Sequence, residues 1–481
     1  MNRRTFIQSA GAATALQAMA QQYAGQPAGH HAAEPSPNPH PNVIWILGDQ
    51  FRAQALASNG DPNARTPNLD RAAINGVTFQ NHLSGFPLCC PFRGSMLTSR
   101  YPHHCVPGHE FPLPEGQKTI ADVFNANGYR TAYFGKWHLG GFHEGKERAA
   151  FFITDPARRG GFESWTGYEN NNSQWDSWVH GGSGSSAFHY RLPGYETDEL
   201  TNLLLNYVKE RAEERKTSAK PFFAILSVQP PHDPYIAPES FMKNYNPERM
   251  ILRPDVAHVP KIEEQVRRDL AGYYAMIENL DWNYGRVVRT LEETGLLADT
   301  HIFFFADHGD MHGSHGMFRK ICPFEESIRT PFIISGGVPR YSPWKAGRLP
   351  VLSNHVDIAP TTLGLCGIRK PEWMEGADLS YHRIGNPPAA ADPDSAYLQC
   401  VVTPNQLDTP NTPYRGLVTR EGWKYVCFEN RSWLQFNLNE DPYEEVNLAQ
   451  MDRYRPERKK LIARLHQWVA DTGDRFALPE D

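Results

Sequence analysis

One form recurs along the chain and constrains its fold more than any other feature: a short, almost continuous apolar run that stops at titratable residues. Asn42-Val43-Ile44-Trp45-Ile46-Leu47 leads to Gly48-Asp49-Gln50, and Thr131-Ala132-Tyr133-Phe134 leads to Gly135-Lys136-Trp137-His138. Residues 222–228 lead to Pro231-His232, and residues 301–306 lead to Asp307-His308-Gly309-Asp310. An apolar run without alternation is the pattern of a strand covered on both faces. Helical patterns separate these runs, over residues 120–124 up to Gly128, over 198–214 and over 262–294. Strands alternating with helices predict an α/β fold with a mainly parallel sheet sandwiched by helices. Ligands of open α/β sheets bind beyond the carboxyl ends of the strands. The polar ends of separate strands are therefore expected to meet at one site.

The rest of the chain fits around that core. At 481 residues, with 40% hydrophobic and 21% charged, it is long enough for one large domain and a smaller one. Residues 371–393 are rich in Pro, Gly and Asp. Beyond them short alternating segments at 397–401, 415–419 and 423–428 predict a small C-terminal antiparallel sheet, closed by a helix over 456–472. Residues 169–194, rich in Asn, Ser, Gly, Trp and His, read as a long surface loop. The net charge of -6 and the lack of a long basic run give no support for a nucleic-acid partner, and none is expected. Seven scattered cysteines form no disulfide framework and no CxxC pair. The N-terminus, Asn2-Arg3-Arg4-Thr5-Phe6-Ile7-Gln8 followed by an Ala-rich stretch, reads as a twin-arginine export signal with a cleavage site at Ala18-Met19-Ala20. It is too short and too rich in small residues to span a membrane, and no other transmembrane segment is expected. The predicted divisions are residues 1–33 (signal and linker), 41–385 (catalytic domain) and 393–481 (small subdomain), with the mature protein periplasmic or secreted.

The adjacent cysteines carry the chemistry. Cys89-Cys90-Pro91-Phe92-Arg93-Gly94-Ser95-Met96-Leu97-Thr98-Ser99-Arg100 contains Cys-x-Pro-x-Arg. Pro91 suits the first turn of a helix. A helix beginning at Cys89 would aim its N–H groups and positive dipole end at an anion. The segment resembles the signature of the type I, formylglycine-dependent sulfatases of the alkaline phosphatase superfamily, with Phe92 and Ser99 in place of the more usual Ser and Gly. Other motifs resemble the same family in order. They are Gly48-Asp49-Gln50, Gly135-Lys136-Trp137-His138-Leu139-Gly140, Gln229-Pro230-Pro231-His232-Asp233-Pro234-Tyr235, Ala306-Asp307-His308-Gly309, and the stretch from Gly313 through Ser314, His315, Gly316, Met317 and Phe318 to Arg319-Lys320. The resemblance runs from about residue 41 to residue 448.

What the resemblance implies is an alkaline-phosphatase-like fold and a sulfuric ester hydrolase. Cys89 would be oxidised to formylglycine by a formylglycine-generating or sulfatase-maturating enzyme, and its hydrate would attack sulfur. Asp49, Gln50, residue 89, Asp307 and His308 would hold one divalent metal, Ca2+ first, with Mn2+ or another transition metal as the alternative. Arg93, Lys136 and Lys320 would hold the sulfate oxygens. His232, with Lys320, would protonate the departing alcohol, and His138 would take the proton that lets sulfate leave. Two departures bear on this. Gln50 stands where the family often has Asp, and His308 where it often has Asn. One loses a negative charge and the other adds a softer donor, which moves preference from calcium toward manganese, zinc or iron. The Gln/His combination also occurs in relatives that cleave phosphonate and phosphate monoesters, the first alternative function. An inactive relative that binds sulfated glycans is the second. Trp175, Trp178, His180, His189 and Arg191 in the 169–194 loop are candidate contacts for a sulfated poly- or oligosaccharide, the leading substrate class ahead of simple sulfate esters.

Overall fold

The computed structural model describes residues 40–480 apart from residues 144, 146–147, 219, 338–344, 386–391 and 406–408. The twin-arginine segment lies outside the described residues, as does most of the stretch between the two expected divisions. Among the described residues no helix is long and apolar enough to cross a membrane.

Ten strands make the larger sheet: β1 (Asn42–Gly48), β2 (Val77–Leu83), β3 (Arg130–Lys136), β4 (Ser164–Tyr168), β5 (Trp178–Gly181), β6 (Phe188–Arg191), β7 (Phe222–Ser227), β8 (Thr300–Ala306), β9 (Phe332–Ser335) and β10 (Gly347–Asn354). Their order is β10-β2-β9-β8-β1-β7-β3-β4-β5-β6. The four apolar runs of the sequence are β8, β1, β7 and β3, adjacent and parallel at the centre. Side chains alternate across the sheet. Ile44 and Ile46 face one core with Leu270, Ile277 and Leu280 of the 34-residue helix Pro260–Glu293. Val43, Trp45 and Leu47 face another, with Phe92 and Met96 of the helix Cys89–Thr98 and Leu363 of the helix Ile358–Leu365. All seven β1 residues are buried, which is why the run shows no polar alternation. Each large apolar side chain so covered contributes roughly 1.5–3 kcal/mol. Trp45 keeps its indole N–H satisfied through Thr362 Oγ1 at 3.1 Å.

The sheet is mixed. β9 runs antiparallel between β2 and β8, and β4, β5 and β6 are joined antiparallel at the far edge. The expectation of a long surface loop over 169–194 is thereby corrected, because that stretch folds back as the β5–β6 hairpin. Each of its strands is only four residues long, too short to show a period. The smaller sheet has the order β11 (Ser395–Cys400), β12 (Tyr414–Thr419), β13 (Trp423–Phe428) and β14 (Arg431–Asn437), all antiparallel. Tyr397, Leu417 and Tyr425 pack on Leu461, Ile462 and Leu465 of the closing helix Arg455–Asp471.

Candidate active site

The carboxyl ends of β1, β3, β7 and β8 converge on the N-terminus of the Cys89–Thr98 helix. The chain leaves β1 through Asp49 and then Gln50, held in the left-handed region at φ 66°. It leaves β3 through Lys136 and reaches His138 at φ 56°. Non-glycine residues seldom adopt such values, and they cluster at functional sites. Gly135 has φ +109°, and a Cβ there would lie 2.0 Å from the Ser227 carbonyl oxygen of β7.

Two fully buried carboxylates form the floor. Asp307 accepts from the backbone N–H groups of Gln50 and His308, each at 3.0 Å. Arg93 donates to Asp49 Oδ2 at 3.0 Å, Asp307 Oδ2 at 3.2 Å, the Lys136 carbonyl at 2.8 Å and Ser227 Oγ at 2.7 Å. Arg93 is 0% exposed. It clamps the two carboxylates together. Lys136 Nζ lies 2.8 Å from Asp49 Oδ2, yet it is buried without a well-aligned acceptor. An ammonium so placed has N–H bonds left for an anion.

Above the carboxylates sit Cys89 and His308. Cys89 Sγ is 3.2 Å from His308 Nε2 and 3.6 Å from Asp49 Oδ1. His308 Nδ1 is 3.0 Å from the Gly309 carbonyl. A carbonyl only accepts, so Nδ1 carries the hydrogen and Nε2 turns its lone pair to the cluster. Donor atoms of Asp49, Cys89, Asp307 and His308 all lie within 4.8 Å of one another. A divalent cation fits this set, which offers two carboxylates, one correctly polarised imidazole and the side chain of residue 89. Burial and the Asp49 charge push the Cys89 thiol up to about 11. The unmodified side chain is thus a protonated, poor nucleophile near neutral pH.

Lys320 closes the cluster from the loop after β8. Its Nζ donates to Gln50 Oε1 at 2.9 Å and to His232 Nε2 at 2.8 Å, and lies 3.5 Å from Cys89 Sγ. Gln50, expected among the metal ligands, therefore turns its oxygen to Lys320. Its amide nitrogen donates to Asp310 Oδ2 at 2.6 Å. His232 Nδ1 is 2.8 Å from the Asp233 carbonyl, so its Nε2 accepts from Lys320. Burial and the Lys320 charge lower His232 to about 4. His138, 4% exposed, is held well below its ordinary value by burial and then by Lys136.

The family model for sulfatases matches residues 41–368. This chain belongs to the sulfatase family. It is a sulfuric ester hydrolase by that membership. The C-terminal model of N-sulphoglucosamine sulphohydrolase matches residues 313–471 of this sulfatase. An ulvan-active sulfatase of Formosa agariphila is 33% identical over 451 residues, covering 91% of this chain and 82% of its own. An N-acetylglucosamine-6-O-sulfatase of Bacteroides thetaiotaomicron is 25% identical, covering 89% and 86%. A crystal structure of a Bacteroides fragilis protein described as a sulfatase superposes with a TM-score of 0.80 at 25% identity, covering 92% of this chain and 98% of that one.

Sequence reasoning missed three supports of the sulfatase site. Asp310 accepts from Gln50 and, at 2.5 Å, from the Tyr235 hydroxyl. Its signal was a second acid three residues after Asp307. Ser227 meets Arg93, and Glu169 accepts the Gly140 N–H at 2.9 Å behind His138; neither has a motif to mark it. Of the residues expected to face a sugar, His180 is buried and accepts from the Thr154 N–H. Arg191 is paired with Asp176 at 2.6 Å. Asn171, Asn172 and Gln174 instead border the His232 segment, through Gln229 and the His232 carbonyl.

Proposed function

We propose that this enzyme removes sulfate from a sulfated poly- or oligosaccharide, with oxidised Cys89 as nucleophile and one divalent cation held by Asp49, Asp307, His308 and residue 89. The observation that carries the reading is the meeting of Cys89, two buried carboxylates, His308, Lys136 and Lys320 within one connected cluster. The sugar-directed names of two relatives support the substrate class. The twin arginines and Ala-rich start support export, and oxidation of residue 89 calls for a maturating enzyme. Calcium is the first occupant to test and manganese the second, since one imidazole softens an otherwise oxygen-based set.

Oxidation of Cys89 to an aldehyde, hydrated in water, supplies an oxygen nucleophile with a second hydroxyl beside it. The cation supplies charge that acidifies bound oxygen and draws sulfate oxygens. The chain's own residues do the rest. Arg93 keeps Asp49 and Asp307 aimed at the centre. Lys136 and Lys320 face the anion with ammonium groups, which matters because charge grows on the bridging oxygen as its bond to sulfur lengthens. His232 is neutral near pH 7, so the proton for the departing alcohol resides on Lys320 Nζ, with His232 Nε2 as its relay partner. His138 is neutral as well and fit to accept a proton.

The Gln50 and His308 pair favours one alternative, a phosphonate or phosphate monoester hydrolase. Steady-state rates with sulfate, phosphate and phosphonate esters of one chromogenic alcohol decide between them, followed by defined sulfated oligosaccharides. The sulfate ester should give the largest kcat/KM, and Cys89→Ala should abolish turnover with the fold intact. A larger kcat/KM for either phosphorus ester would overturn the assignment.

A further inference from the structure

We propose that Cys90, His109 and His138 form a second metal site, which takes zinc or a similar thiophilic divalent ion and blocks turnover when filled. Successive helix residues point about 100° apart. Cys89 faces the carboxylates, and Cys90 faces the other way, with Sγ 3.9 Å from His109 Nδ1. The rings of His109 and His138 meet edge to face with centroids 5.4 Å apart. One donor atom from each of the three residues lies within 4.8 Å of the others. Tetrahedral zinc with ordinary bond lengths sets sulfur and nitrogen donors about 3.5 Å apart, so closure needs shifts on the order of 1 Å.

Three further observations point to a ligand. His138 Nδ1 is buried without a hydrogen-bond partner. The His109 side chain keeps 19% of its surface exposed, which leaves an ion a way in. His109 Nε2 lies 3.9 Å from Glu110 Oε1, too far for a hydrogen bond but near enough for the carboxylate charge to favour a cation. Lys136 opposes a cation here, and the carboxylates of Glu169, facing Cys90, and Glu110, beside His109, offset it. The donor set of one thiol and two imidazoles differs from the carboxylate-rich set around Cys89 and selects softer ions. On binding, the Cys90 S–H bond breaks, its proton passes to solvent and a sulfur–metal bond forms. The imidazoles give lone pairs, and nothing is oxidised or reduced. Neither Cys90 nor His109 has a part in the proposed turnover, whereas His138 does, so a filled site removes the base.

Only the blocking of turnover rests on the sulfatase mechanism; the site itself is read without activity. Cobalt(II) titrated into Cys89→Ala protein should give sulfur-to-cobalt charge-transfer absorption at one equivalent. That absorption should vanish in Cys89→Ala with Cys90→Ser, and weaken roughly a hundredfold in affinity with His109→Asn. In matured enzyme, zinc inhibition should be reversed by chelator, and Cys90→Ser or His109→Asn should need far more zinc for the same inhibition. Retention of the cobalt band without Cys90, or equal zinc sensitivity in both variants, overturns the proposal. A correct cobalt response in Cys89→Ala, together with no sulfatase activity in matured protein that carries the aldehyde at residue 89, would sink the mechanism and leave the site standing.

Discussion

Asp49 and Asp307 are equally buried and yet titrate apart. Burial would raise Asp49, but Lys136, His232, Arg93 and Lys320 outweigh it and hold the carboxyl well below its usual range. Burial and the neighbouring Asp49 charge push Asp307 up to about 7. Arg93, Lys136 and Lys320 pull the other way and only partly offset burial and the like charge beside Asp307. Metal binding must therefore expel a proton from Asp307 below pH 7. The apparent metal affinity should rise about tenfold per pH unit up to pH 7 and then level off. Calorimetry in buffers of different ionisation enthalpy should count close to one proton released at pH 6. A pH-independent affinity would show that Asp307 is already ionised in the metal-free protein.

At the scale of elements, the site depends on how closely β3 and β7 approach. Gly135 sits where a side chain would collide with the Ser227 carbonyl, in a backbone conformation that L-residues rarely adopt. Gly135→Ala should cost about 2 kcal/mol or more in urea denaturation and displace Lys136. Stability equal to the parent would mean that the strands can separate freely there. The central strands were legible in the sequence because burial on both faces leaves uninterrupted apolar runs. The long helix was legible too, expected over 262–294 and found over Pro260–Glu293. β9 and the β5–β6 hairpin were not, since four residues carry no period and their pairing is set by distant neighbours. The family was legible from six ordered motifs. The bonding of Arg93 to both carboxylates and the turn of Gln50 toward Lys320 were not, because spacing along the chain does not say which partner a side chain meets.

At the scale of the molecule, the small sheet braces the loop that carries Lys320. The Tyr414 hydroxyl donates to the Ile321 carbonyl at 3.1 Å, and Lys424 Nζ donates to the Pro323 carbonyl at 3.0 Å. Lys424 also pairs with Glu325 at 2.8 Å and Glu444 at 2.7 Å, with all three side chains at most 8% exposed. Removing one member of a buried ion network leaves charge unpaired. Lys424→Met should lower stability by about 3 kcal/mol and lower kcat through a loosened Lys320. Unchanged melting and turnover would mean the brace is ornamental. Turnover as proposed depends on the chemistry of one side chain, residue 89. Tandem mass spectrometry of the peptide containing residue 89, taken from turnover-competent protein made beside a maturating enzyme, should find an aldehyde in place of the thiol. A fully active preparation that retains an intact Cys89 thiol would contradict it.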